Sequence, residues 1–368
     1  MRLALPTEAD PTLIADDAAD LTASWLGRVL GVGATVRVVR TERIGTGQIG
    51  ASYRLTLESA DGAVPRSVVV KMAAGDDRSM VSQGFAWEVG FYRHLAESVA
   101  ARIPRCWYAA ISPDHTRFTL VLEDLTPAAP GSQAAGCTPD QARNAVVNLA
   151  GLHAPFWNSP LLAGGLEWLA PPDAEGCAFL GALHRDATEV FVERFGPALP
   201  PDDADTLRAA AERTGSWLRG HRAPFSLVHG DYRLDNLMFH PDRPEVAALD
   251  WQTISVGHPA RDLAYFVANS LTVADRRAHE ESLIAAYHAA LGVPGYSRDE
   301  CREGYRAGML HGPVITVLGC VYATAERSPA ADAMFLSMTA RTCQAIRDLG
   351  TLDLVARDVP GGGAGPGR

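Results

Sequence analysis

Cysteine is scarce and scattered in this chain. Cys106, Cys137, Cys177, Cys301, Cys320 and Cys343 are spread over 368 residues, and none forms a C-x-x-C pair. That argues against a disulfide framework or a structural zinc site and suits thiols in a reducing compartment. Excess positive charge is missing too. Lysine and arginine total 33 against 43 acids, a formal net charge of −10, so no nucleic-acid partner is expected. Long hydrophobic runs are absent. The most apolar stretch, 309–325, is short and is interrupted by His311, Gly312 and Pro313, which excludes a membrane span there. Residues 1–20 carry several acids and no apolar core, so they do not read as a signal peptide. No internal repeat is visible. These absences lead us to expect a cytoplasmic protein with no membrane partner. What remains is an ordinary globular composition, 47% hydrophobic and 21% charged, long enough for two lobes.

Periodicity changes along the chain. Residues 21–30 read as a short helix opened by Asp20 or Thr22 and closed by Gly31. Strand patterns follow at 36–44, 51–57 and 67–72, then a helical pattern over 80–99, then strands at 105–111 and 117–122. Beyond 125 the pattern is helical: 139–156, 203–219, 275–291, 298–325 and 329–349. Two short apolar runs, 225–228 and 246–249, interrupt it. The expected fold class is α+β and bilobal, with a small β-rich N-lobe and a larger, mainly helical C-lobe. The expected boundaries are an N-terminal helical segment 1–35, an N-lobe 36–125, a C-lobe 126–352 and a disordered tail 353–368. The linker over 123–135 contains Pro127, Pro130 and Gly131.

Gly45-Thr46-Gly47-Gln48-Ile49-Gly50 fits G-x-G-x-x-G. Glycines so spaced let backbone N–H groups approach phosphate oxygens, although a plain β-turn has the same look. A dinucleotide fold would need a helix next, whereas Ser52 to Leu57 read as a strand. Strand, glycine loop, strand is how kinases cover ATP. Lys71 stands near the end of the following apolar run. It either snorkels to solvent or reaches nucleotide phosphates, a role that needs an anion beside it; Glu88, inside the next helix, is the candidate.

The most specific pattern is His229-Gly230-Asp231-Tyr232-Arg233-Leu234-Asp235-Asn236, which fits H-x-D-x-x-x-x-N, with Asp250 fourteen residues after Asn236. Magnesium takes hard oxygen ligands, one or two from protein, and Asn236 and Asp250 would supply them. Asp231 would orient an acceptor hydroxyl and accept its proton.

With Leu249-Asp250-Trp251-Gln252, Asp262-Leu263-Ala264-Tyr265-Phe266, Leu120 to Leu125 and Glu88 to Tyr92, this chain resembles the aminoglycoside phosphotransferase and choline kinase superfamily over residues 40 to 350. Its nearest look is to the ecdysteroid-kinase-like branch. The resemblance implies a protein-kinase-like fold and transfer of the ATP γ-phosphoryl group to a small-molecule hydroxyl. It makes Asp231 the base and Asn236 and Asp250 the Mg2+ ligands. Lys71 with Glu88 would meet the phosphates under Gly45, Gly47 and Gly50, and the backbone at Glu123 and Leu125 would bind adenine. Arg233 would touch the γ-phosphate or be solvated, His229 and Asp262 would brace the loop, and His153 would be a packed or capping residue. Asp250-Trp251-Gln252 replaces Asp-Phe-Gly, and no Ala-Pro-Glu segment follows, so a regulated protein kinase is not expected. A nucleotide-binding pseudokinase is the alternative. The acceptor could be steroid-like, a metabolite or an antibiotic. Acid-lined aminoglycoside sites would draw on acids such as Glu167, Asp173, Glu175 and Glu189.

Overall fold

The computed structural model describes residues 10–32, 36–45, 50–59, 62, 64–75, 78, 81–164, 166–220, 223–323 and 328–358. These fall into two compact units, 1–129 with 238–254, and 130–237 with 255–368. The fold class is the expected α+β, a β-sheet unit and a largely helical one.

The first unit is built on five antiparallel strands: β1 (Val36–Ile44), β2 (Gly50–Ser59), β3 (Ser67–Ala73), β4 (Cys106–Ile111) and β5 (Phe118–Glu123), in the order β1-β2-β3-β5-β4. Helix α1 (Ala23–Leu30) starts where the Thr22 hydroxyl accepts from the Trp25 N–H and stops at Gly31, whose φ of +66° suits a residue without Cβ. It buries Trp25, Leu26, Val29 and Leu30 against Leu55, Val68, Val70 and Met72, each such side chain contributing about 1.5–3 kcal/mol. Side chains alternate along a strand. Val68, Val70 and Met72 therefore face α1, and Lys71 faces the other way, toward α2 (Ser82–His94). Phe85 of α2 packs on Phe118 of β5 with ring centroids 4.6 Å apart. Covered on both faces, β5 is buried from Phe118 to Leu122. The helical pattern over 80–99 is thus shorter than expected, and a 3-10 turn follows at Ala96–Ser98.

The second unit contains α3 (Pro139–His153), α4 (Ala174–Phe195), α5 (Pro201–Ala211), α6 (Thr214–Gly220), α7 (Ala260–Ser270), α8 (Val273–Leu291), α9 (Arg298–Gly308), α10 (His311–Leu318) and α11 (Pro329–Leu349). Several ends were written locally. Thr138 and Gln141 form a capping box at α3, Ser297 and Glu300 another at α9, and Gly292 and Gly350 close α8 and α11 at φ +60°. Elsewhere the sequence reading needs correction. The 203–219 pattern breaks into α5 and α6, and 298–325 into α9, α10 and a π-helical turn, Gly319–Ala323. Helices α4 and α7 were not anticipated. Every residue of α7 is buried, so it lacks the polar face that reveals a surface helix. Residues 353–358, expected as the start of a tail, are placed. The Asp358 carboxylate accepts from the Gly215 and Ser216 N–H groups.

Candidate active site

In the first unit, Lys71 Nζ lies 2.8 Å from Glu88 Oε2, 2.9 Å from Glu88 Oε1 and 3.3 Å from Asp250 Oδ1. The helix therefore brings Glu88, and the end of the 246–249 run brings Asp250, to the one lysine in the strand. It is also the only lysine of the chain; every other basic residue is arginine. Arginine thus fills every solvated basic position, which disfavours the snorkelling reading. A compact ammonium has been kept at one enclosed point. Burial works against its charge, but Asp250 and Glu88 outweigh that and raise the Lys71 pKa. Burial raises the carboxyl of Glu88, a residue only 1% exposed, and the Lys71 charge works against that rise. Glu88 also accepts from the Trp251 N–H at 3.4 Å and from Gln252 Nε2 at 3.0 Å.

Asp250 has a left-handed backbone, φ +63°, which costs a non-glycine residue about 1–3 kcal/mol. Its neighbour over-determines that conformation. Trp251 is fully buried and stacks on Phe91 with centroids 3.7 Å apart, while its N–H is held by Glu88. The strain leaves the Asp250 carboxylate 41% exposed. Gly50 opens β2 beside Lys71; a Cβ there would sit 3.3 Å from Lys71 Cε. Gly45 closes β1 at φ +72°. Gly47 lies outside the described residues.

At the expected hinge, the Glu123 N–H donates to the Arg105 carbonyl at 2.8 Å. Its carboxylate is gripped by Arg102 at 2.7 and 2.9 Å. The Leu125 carbonyl accepts from the Ala128 N–H. Asp124 is clamped by Arg54 Nε at 2.8 Å. These bonds hold the backbone in a fixed path, with a cavity of about 90 Å³ against residues 123–128.

In the second unit, the loop over residues 229–236 is organised around one carboxylate. Asp231 Oδ1 accepts from the Tyr265 hydroxyl at 2.7 Å, and Oδ2 accepts from Arg233 Nε and Asn236 Nδ2, each at 3.0 Å. Asn236 Nδ2 also donates to the Asp231 carbonyl at 2.9 Å. Its amide oxygen is consequently left to point elsewhere. Arg233 turns inward rather than out to solvent. It bonds Asp231, Asp235 at 2.8 Å and the Met334 thioether at 3.1 Å. Burial opposes its charge, yet these acids raise its pKa. Burial, then the Asp231 charge, raise Tyr265 well above the usual phenol range, so it stays a donor.

The loop is held from behind by Asp262, which is fully buried. Asp262 accepts from the His229 N–H at 2.6 Å, the Gly230 N–H at 3.0 Å and His153 Nε2 at 3.3 Å. Burial would raise this carboxyl, but the His153 hydrogen bond leads the contacts that hold it well below the carboxylate range. Since His153 Nε2 donates to a carboxylate, its Nδ1 accepts from Tyr287, 2.7 Å away. His311 Nε2 donates to the Gly230 carbonyl at 2.7 Å, and burial pushes its pKa down to about 4. Gln133 adds a further brace, accepting from the Leu234 N–H at 3.0 Å.

Residues 40–302 match the family described as phosphotransferase enzymes. This chain belongs to that family. Among solved structures, choline kinase from Cryptosporidium parvum Iowa II is similar with a TM-score of 0.57 at 11% identity, covering 87% of this chain and 92% of that one. The GDP and kanamycin complex of APH(2")-IIia gives 0.52 at 14%, covering 86% and 94%. At such identities the likeness is one of fold. A curated relative, acyl-CoA dehydrogenase family member 10 of Mus musculus, is 50% identical over 60 residues, 15% of this chain and only 6% of that protein.

In this phosphotransferase, Asp250 of the first unit carries an exposed carboxylate and Asn236 of the second an amide oxygen, each a hard donor of the kind magnesium takes. No group of three or more His, Cys, Asp or Glu side chains suited to a metal occurs among the described residues. A metal held by either residue would therefore depend on other groups, such as phosphate and water, for its remaining ligands. No helix among the described residues is long and apolar enough to cross a membrane. Sequence reasoning gave no role to Tyr265, His311, Gln133 or Gln252. Tyr265 stood inside a quoted motif, and its place three residues after Asp262, one turn on in α7, was the available signal.

Proposed function

We propose that this phosphotransferase is an ATP- and Mg2+-dependent kinase that moves the γ-phosphoryl group to a hydroxyl of a small molecule. The observation that carries the reading is Asp231, a carboxylate fixed by donors on both oxygens inside H-x-D-x-x-x-x-N. Lys71, steadied by Glu88, meets nucleotide phosphates, and the backbone at Glu123 and Leu125 receives adenine. Asn236 and Asp250 would hold magnesium, which neutralises phosphate charge when bound. The acceptor hydroxyl gives its proton to Asp231 as its oxygen bonds to the γ-phosphorus. The bond from phosphorus to the β–γ bridging oxygen breaks, and ADP leaves. Most of the acceleration comes from positioning and charge stabilisation. The pseudokinase alternative is disfavoured because Lys71, Asp231, Asn236 and Asp250 are all present.

The acceptor class is the finer part of the proposal. The likeness to the ecdysteroid-kinase-like branch favours a bulky, partly apolar alcohol. The relatives named for acyl-CoA dehydrogenases favour a second reading, a hydroxyl on an acyl thioester. ADP release with ATP and Mg2+ across hydroxylated compounds, run beside Asp231→Asn, tests the kinase. Acceptor-stimulated release lost in the variant supports it, and full activity in the variant ends it.

A further inference from the structure

The surface next to the catalytic loop says what kind of acceptor can lie there. Helix α11 is pinned to Gln133 and to Asn269 of α7, the first of which braces that loop. Arg341 Nη1 donates to the carbonyls of Gln133 at 3.0 Å and Asn269 at 2.9 Å, and the Thr342 hydroxyl donates to Asn269 at 2.7 Å. Gln133 itself holds the loop at Leu234 and Asp235. Two turns earlier on the same helix face stands Met334, whose sulfur meets Arg233 at 3.1 Å while Arg233 meets Asp231 at 3.0 Å. One guanidinium therefore separates a thioether from the base.

The ground around Met334 is apolar. Met334, Ala331, Leu318 and Val321 are partly buried and pack on a core that includes Phe191, Phe195 and Phe335. Val190 and Tyr322, from the neighbouring α4 and π-helical turn, are 51% and 46% exposed. Two nearby carboxylates carry arginine partners: Asp235 is paired with Arg233 at 2.8 Å and Asp332 with Arg194 at 3.0 Å. Of the acids expected for an aminoglycoside site, Asp173 caps α4 and Glu189 pairs with Arg208, Glu175 is exposed, and the Glu167 side chain lies outside what the structure describes.

We infer that Met334 is a specificity residue of the acceptor site, and that the acceptor is an alcohol bearing an alkyl chain and no cluster of cationic amines. This rests on the kinase reading above. The acceptor hydroxyl must come to Asp231, and the carbon skeleton behind it then meets Met334 and the apolar ground beside it. An unbranched thioether adapts to such chains. A polycation there finds Asp235 and Asp332 already paired with arginines.

The test uses the full chain, ATP and Mg2+, with ADP release measured for straight-chain 3-hydroxy acids of four to twelve carbons and for kanamycin. Met334→Glu and Met334→Leu are run in parallel. An amine-reactive acyl phosphate of ATP, which can attach at only one lysine, reports nucleotide binding in each protein. We expect kcat/KM to rise with chain length, by up to about fourfold per seated methylene. Met334→Glu should cut the longest acids at least tenfold and flatten the chain-length series, Met334→Leu should keep it, and kanamycin should give no release. Kanamycin turnover above that of the acids, a flat series in the wild type, or no acid turnover while Lys71 is still labelled overturns the inference. Failure of labelling, or Asp231→Asn equal to wild type, instead overturns the kinase reading.

Discussion

Around Lys71 two carboxylates converge on one cation, whereas around Asp231 three donors converge on one carboxylate. The first arrangement keeps an ammonium charged and leaves one acid, Asp250, strained and 41% exposed. The second fixes the orientation of the Asp231 carboxylate, the proposed base. A third acid, Asp262, has no exposed surface and spends its oxygens on backbone N–H groups and His153. Three aspartates close in sequence thus do different work, and solvent access and the sign of the neighbours decide which. The difference teaches that an Asp in a motif acquires its role from the count of donors around it.

Substitutions can break this contrast. Asp231→Asn has the largest expected effect, a loss of about 10²–10⁴ in kcat, with Lys71 labelling by the ATP acyl phosphate retained. Loss of labelling as well would mean that the two sets are not separable. Asp262→Ala comes next. It strips the His229 and Gly230 N–H groups of a buried partner and should cost about 3–5 kcal/mol in urea unfolding. A change below 1 kcal/mol would remove Asp262 from its bracing role.

Acid sharpens the contrast between solvated and buried groups. His184, His258 and His311 are each pushed down to about 4, burial being the main cause. In the unfolded chain they titrate near 6.5. Between these values the unfolded state binds more protons, so stability falls as pH drops from about 6.5 toward 4, by at most about 3 kcal/mol per histidine. Asp262, with its pKa lowered, adds a loss only below about 4, where its unfolded counterpart protonates. Urea midpoints should therefore decline already between pH 6.5 and 4.5. Equal midpoints at pH 7 and 4.5 would refute this.

Lys71→Arg is the mildest change chemically. It keeps the charge but puts a planar fork where Glu88 and Asp250 enclose a point charge. We expect kcat/KM to fall roughly tenfold to a hundredfold, and the chain should no longer label with amine-reactive nucleotide. Near wild-type turnover would show that any cation suffices there.

Much of the site was legible because its spacing is short-range. His229, Asp231 and Asn236 lie on one loop, and Lys71 shows itself as the polar interruption of an apolar strand. The start of α1 at Thr22, offered beside Asp20, was likewise local. What could not be read was contributed from far along the chain. Tyr265 reaches Asp231 across 34 residues, His311 reaches Gly230 across 81, and Gln133 reaches Leu234 across 101. Helix α7 was hidden because burial on all sides erases periodicity.

The sequence by itself determined the chemistry on offer: a lone lysine, an aspartate and an asparagine at fixed spacing, and strands and helices with their own stop signals. Tertiary structure alone decided which acid became a cation's partner, which an oriented loop carboxylate and which a buried brace. Charge and hydrogen-bonding capacity belong to the residue, but desolvation and the identity of the neighbours belong to the packing.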